Sequence, residues 1–197
     1  MSRQGGSGSS RERLVDATLD LLCRQGFEAT VVKDIARVGS APMGSFYYHF
    51  PGGKEELGAL AMRRGAERVG ATFARAVGSH VDPGDALAAC ASTIGDQLEQ
   101  TGWADGCPIA TTALETVGRS PVLQQAAAEA FAGWQQIVAD GLRALGIDSD
   151  AAEDLAHNTV AMIEGAEMIA RVRGSREPLD RAAAALRALA GAAGRTS

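Results

Sequence analysis

The sequence predicts an all-α protein, with a small N-terminal three-helix unit ahead of a larger helical body. Three observations carry this reading. Apolar residues recur at three- and four-residue spacing along nearly the whole chain. Gly and Pro punctuate that rhythm at intervals that suit helices. No strand-like alternation of useful length interrupts it. The 197 residues, 46% apolar and 22% charged, suffice for one or two compact units with a core of their own.

The elements follow in order. Residues 1–10 are mostly Gly and Ser and read as a flexible arm. The plain reading of that arm is an untidy terminus. The functional one is a basic arm reaching nucleic acid through Arg3, Arg11 and Arg13. From Ser10, a candidate N-cap, Leu14, Ala17, Thr18, Leu21 and Leu22 mark one helical face that Gly26 ends. Thr30 is the next candidate N-cap, opening a short helix through Ile35 and Ala36 that stops at Gly39. A third runs from Ala41 to Phe50 with Pro42 in its first turn, before Pro51-Gly52-Gly53 breaks the chain. Three helices joined by tight turns have the spacing of a helix-turn-helix unit.

The body continues with helices from Lys54 to Val77 and from Asp85 to Thr101, then a looser stretch over Gly102-Trp103-Ala104-Asp105-Gly106. A short helix over Ile109–Val117 leads to the N-cap and N1 pair Ser120-Pro121 and a long helix ended by Gly146. Two more follow, over Asp150–Val172 and from Leu179 to Ala193. Leu and Ala at three- and four-residue spacing on these last two allow close helix pairing, so they are the expected homodimer interface, an isologous four-helix bundle. The domain boundaries expected are an arm over 1–10, a helix-turn-helix domain over 11–55 and a body over 56–197.

Charge and composition narrow the classes. Residues 1–54 carry seven Lys or Arg against five acids, while the remainder carries twelve against nineteen. A small basic end can approach a polyanion that the acidic body repels. The chain holds no apolar run long enough to span a bilayer, and the N-terminal residues form no secretory h-region. Cys23, Cys90 and Cys107 are too dispersed for a disulfide framework, so the expected compartment is the cytoplasm. The three His and three Cys show no metal-ligand spacing, and no cofactor motif is present.

The segment richest in chemistry is residues 26–57. Met43, Ser45, Tyr47, Tyr48 and His49 offer hydroxyl, imidazole and apolar groups suited to phosphates and major-groove base edges. Gly44 would permit close approach, Lys33 stands on the preceding helix, and Lys54 opens the next, where ammonium and helix dipole favour a phosphate. Three consecutive polar aromatics cannot all face inward on one helix.

Gly26-Phe27, Thr30, Ile35-Ala36, Gly44 through Phe50 and Lys54-Glu55-Glu56-Leu57 together resemble the TetR family of bacterial transcriptional regulators. Gly106-Cys107-Pro108-Ile109-Ala110 and Leu114-Glu115 are similar to the subgroup with lincomycin-resistance and flavonoid-responsive repressors. The resemblance implies that Tyr47, His49 and Lys54 bind phosphates and that Met43, Gly44, Ser45 and Tyr48 face base edges. Lys33 would reach either, while Phe46 and Phe50 are core. Met43 stands where relatives often carry Lys, which suggests contact with a thymine methyl. Val31 stands where Ser or Thr is common, which removes a possible phosphate contact.

The resemblance also implies a homodimeric repressor on a pseudo-palindromic double-stranded DNA operator, released by a small apolar or aromatic effector. Wall candidates for its pocket are Trp103, Cys107, Phe131, Trp134, Met162 and Met168, with Glu115, His157, Glu164 and Glu167 as polar neighbours. Glu164 and Glu167, one turn apart, suit a solvated face. Two competing readings remain from the residues themselves. One is a small helical enzyme or ligand-binding protein using Cys107 with His80 or His157. The other is a helical interaction module, which leaves Tyr47, Tyr48, His49 and Lys54 unexplained. No catalytic residue is assigned.

Overall fold

A computed structural model describes residues 8–193, so Arg3 and most of the expected arm lie outside the described residues. Among the described residues there are nine helices and no strand. They are α1 (Ser10–Gln25), α2 (Val32–Val38), α3 (Met43–His49), α4 (Gly53–Gly78), α5 (Pro83–Gln100), α6 (Pro108–Thr116), α7 (Pro121–Ala144), α8 (Ser149–Arg173) and α9 (Glu177–Ala193). The all-α expectation holds. None of these helices is long and apolar enough to cross a membrane.

By packing, the chain forms two compact units. The first comprises residues 1–65 and 108–128, the second 66–107 and 129–197. This partition differs from the functional one expected at residue 55. Helix α6 and the start of α7, counted with the body on sequence order, pack with the N-terminal residues.

In the first unit, Leu14, Leu22, Ile35, Phe46, Phe50 and Leu57 are almost fully buried and form the core. The α1–α2 turn exists because Gly26 adopts φ +76°, a left-handed value that other residues reach only with strain. The α2–α3 turn is held by Arg13, whose Nε donates to the Gly39 carbonyl at 3.1 Å and whose Nη1 donates to Gly8 at 2.7 Å. A Cβ on Gly39 would sit 3.0 Å from the Arg13 carbonyl, so α1 passes this turn at backbone contact. Arg64 pairs with Glu12 and, at 3.2 Å, with Asp16, joining α4 to α1.

Two expected caps and one first-turn position are reassigned. Ser9 caps α1, accepting from the Glu12 amide at 3.3 Å, while neighbouring Ser10 is diverted to a distant partner. Val31 holds the N-cap position of α2 without a side-chain bond, because the Thr30 hydroxyl donates to the Gly26 carbonyl at 2.6 Å. Pro42 is the N-cap residue of α3, outside its first turn, and α3 is correspondingly shorter than Ala41–Phe50.

In the second unit, Trp134 is 2% exposed, stands edge-on to Phe73 and Phe131, and donates its indole N–H to the Ala66 carbonyl at 2.8 Å. Helices α5 and α9 approach closely because Gly84 has no side chain. A Cβ there would meet Arg187 backbone at 3.1 Å. Arg176 ties the same pair together, reaching Asp96, Glu99 at 3.2 Å, Asp180 at 2.9 Å and the Ser92 carbonyl at 3.2 Å. The Asp96 and Asp180 carboxylates raise its already high pKa.

Candidate nucleic-acid interface

Helix α3 presents what an external reader needs. Phe46 and Phe50 turn inward, 2% and 1% exposed, and fix the helix to the core. The opposite side leaves Tyr47 at 66% and Tyr48 at 81% exposure, with Met43 at 40% and Gly44 open beside them. Two large side chains this exposed on a seven-residue helix contribute little to folding; their apolar surface is available to a partner. Ser45 is half-buried at the first turn, and Lys33 stands exposed on α2.

Gly44 is informative in a different way. A Cβ built there meets nothing within 4 Å. The protein's own packing therefore does not require glycine at this position, whereas close approach by an external surface does.

Two expected phosphate ligands have other engagements. His49 is half-buried, and its Nε2 lies 2.8 Å from the Ser10 hydroxyl, which spans α3 and the first turn of α1. Its ring also stands edge-on to Tyr48, with centroids 4.9 Å apart. The Lys54 ammonium sits over the Phe27 ring, 4.1 Å from its centroid. Burial lowers its pKa, and the negative charges of Glu28 and Glu115 offset part of that fall. In this geometry His49 links α3 to α1, and Lys54 links α4 to the α1–α2 turn. Sequence reasoning missed these roles because each partner is distant in the chain.

The six wall candidates of the body do not converge on one place. Trp134 is core with its N–H satisfied, and Phe131, half-buried, stacks against it with centroids 5.5 Å apart. Trp103 adopts φ +65° in the α5–α6 loop, and its indole lies close to Gly174. Met168 is 61% exposed on α8 and lines no interior. Met162 lines an open groove of about 470 Å³ between α8 and α9, with Ile169, Pro178 and Ala182 as further apolar walls and Arg173 and Arg181 among the lining residues.

Cys107 stands apart from these, beside the two carboxylates expected on a solvated face. Glu167 is instead buried, 8% exposed, and accepts from the Cys107 backbone N–H; the Cys107 thiol donates to half-buried Glu164. Burial pushes Glu164 up to about 7 and, with Glu164 as neighbour, Glu167 up to about 8. The signal was present in the sequence. Glu167 lies four residues after Ile163 and three before Ala170, on the apolar face of α8.

Residues 14–70 match the family model "Bacterial regulatory proteins, tetR family", and residues 83–185 match "Transcriptional regulator LmrA/YxaF-like, C-terminal domain". The chain belongs to the TetR family. It is 31% identical over 172 residues to the HTH-type transcriptional regulator LmrA of Bacillus subtilis, covering 87% of this chain and 92% of that protein. It is 35% identical over 176 residues to an uncharacterized HTH-type transcriptional regulator of Mycobacterium tuberculosis, covering 86% and 88% respectively. A TetR transcriptional regulator structure from Legionella pneumophila superposes with TM-score 0.78 at 20% identity, covering 91% of this chain and 96% of that one. One from Chloroflexus aurantiacus gives 0.76 at 27% identity, covering 91% and 92%. This TetR-family protein is thus a DNA-binding transcriptional regulator, and the enzyme reading of Cys107 falls away.

Proposed function

We propose that this TetR-family regulator is a cytoplasmic homodimeric repressor that lays one α3 helix per protomer in successive major grooves of a pseudo-palindromic operator, and leaves it when a small apolar or aromatic ligand fills the body. The observation carrying the proposal is the outward pair Tyr47 and Tyr48 beside the open Gly44. Met43, Gly44, Ser45 and Tyr48 face base edges. Tyr47 contacts the backbone and Lys33 a base or a phosphate, with His49 and Lys54 contributing what their own bonds leave available. On this reading residues 11–55 are the reader, and 56–197 carry effector binding and dimerisation, whatever the packing partition.

Dimerisation through α8 and α9 is supported by their exposed apolar residues. Met168, Ile169, Val172 and Leu189 are 61%, 42%, 85% and 41% exposed, an expensive surface to leave in water. Effector binding rests on Trp103, Cys107, Phe131, Trp134, Met162 and Met168 as residues to probe, with induction needing a coupling of about 1–3 kcal/mol.

The test is recovery of fragmented host genomic DNA bound at physiological salt, alongside a Tyr47→Ala/Tyr48→Ala variant. Enrichment of a few palindromic sites by the wild type alone supports the proposal. Equal recovery by both proteins contradicts it.

A further inference from the structure

Glu115, on helix α6, grips the α1–α2 turn of the N-terminal helices. The Glu115 carboxylate accepts two backbone N–H groups of the α1–α2 turn through the same oxygen, Oε2, from Phe27 at 2.6 Å and from Glu28 at 3.1 Å. Gly26 completes the seat, since a Cβ there would collide with this carboxylate. Arg119, one turn beyond, pairs with Glu28 at 3.0 Å, and Ser120 donates to Glu55 at 2.8 Å.

The turn so gripped places the rest. Phe27 is 7% exposed; its ring lies under the Lys54 ammonium and against Gly58, where a Cβ would come within 2.8 Å of it. Its carbonyl accepts from the Thr30 amide at 3.1 Å, one residue before the N-cap of α2. By holding Phe27, 88 residues away in sequence, Glu115 thus acts on where α2 begins and how Lys54 is presented, without facing the α3 surface itself.

We propose that Glu115 is a positioning residue for operator recognition, acting through the Phe27 and Glu28 amides. The proposal rests on the regulator reading above. Because both amides share one oxygen, a glutamine carbonyl preserves both bonds in uncharged form, whereas alanine removes them and leaves two amides unpaired.

The experiment compares wild type, Glu115→Gln and Glu115→Ala in three measurements. These are affinity for the duplex selected from host DNA, affinity for a scrambled duplex, and amide hydrogen exchange of the free proteins. For Glu115→Ala, selected-duplex affinity is expected to fall roughly tenfold. Scrambled-duplex affinity should change far less than selected-duplex affinity, with exchange accelerating at Phe27 and Glu28. Glu115→Gln should recover most of both effects. Unchanged exchange and affinity in Glu115→Ala overturn the proposal. So does an equal proportional loss on both duplexes, which marks a merely structural role. Failure of the wild type to select any duplex would sink the regulator reading instead, and exchange would still report on the Glu115 grip.

Discussion

Ser10 and His49 stand 39 positions apart in sequence with the Ser10 hydroxyl 2.8 Å from Nε2 of His49. That bond ties the first turn of α1 to the last turn of α3 and orients the end of that helix. Ser10→Ala should cost less than about 1 kcal/mol of stability, as for one partly exposed hydrogen bond. Operator affinity should fall severalfold, because the Tyr47–His49 end of α3 loses its tether. Chemical denaturation beside a binding titration checks both, and an unaltered titration would mean that α3 needs no such support.

Gly44→Ala separates folding from recognition. With open space around its Cβ, alanine should leave the protein as stable or up to about 1 kcal/mol more stable, through helix propensity. DNA binding should nevertheless weaken at least tenfold if a base edge or sugar occupies that space, a loss of about 1.4 kcal/mol. A variant of raised Tm with full operator affinity would show that nothing approaches Gly44.

Glu164 and Glu167 set a pH dependence whose sign is fixed. Their folded-state pKa values, about 7 and about 8, lie above those of an unfolded chain. Between about pH 4.5 and pH 8 the folded state therefore holds protons that the unfolded chain has released. Stability from these groups is fully present below about pH 4.5 and is lost as pH rises through 7 and 8. Thermal melts across that range should show the fall, and Glu167→Gln should flatten it. An equally steep profile in Glu167→Gln would place the titration elsewhere.

Thr112, on α6, is fully buried, and its hydroxyl has no hydrogen-bond partner among the described residues. Thr112→Val keeps the shape and removes the unsatisfied oxygen, so it should stabilise the protein by about 1 kcal/mol. A destabilised valine variant in denaturant titration would mean that the hydroxyl is bonded in solution.

The helical elements were largely legible because their punctuation is local. Gly26, Pro121 and Gly146 mark ends that backbone sterics enforce without help from the rest of the fold. The burial of Phe46 and Phe50 was what the family resemblance implied, and helical period added that Tyr47, Tyr48 and His49 could not all face inward. Choices between chemically equal neighbours were not legible. Ser9 and Ser10 can each cap α1, and only His49, placed by tertiary folding, decides between them. Lys54 reads as a phosphate ligand from its helix-start position, and the Phe27 ring that engages it arrives from another helix turn. Glu167 was misjudged by residue type, since its position on α8 already placed it among buried residues.

The most direct measurement is a hydroxyl-radical footprint of the wild-type protein on its most enriched genomic duplex. Two symmetric protected patches are expected, with half-site centres about 34–36 Å apart or a multiple of that spacing. Both should vanish with Tyr47→Ala/Tyr48→Ala. A single unsymmetrical patch, or protection that survives loss of both tyrosines, would contradict a dimer reading DNA through α3.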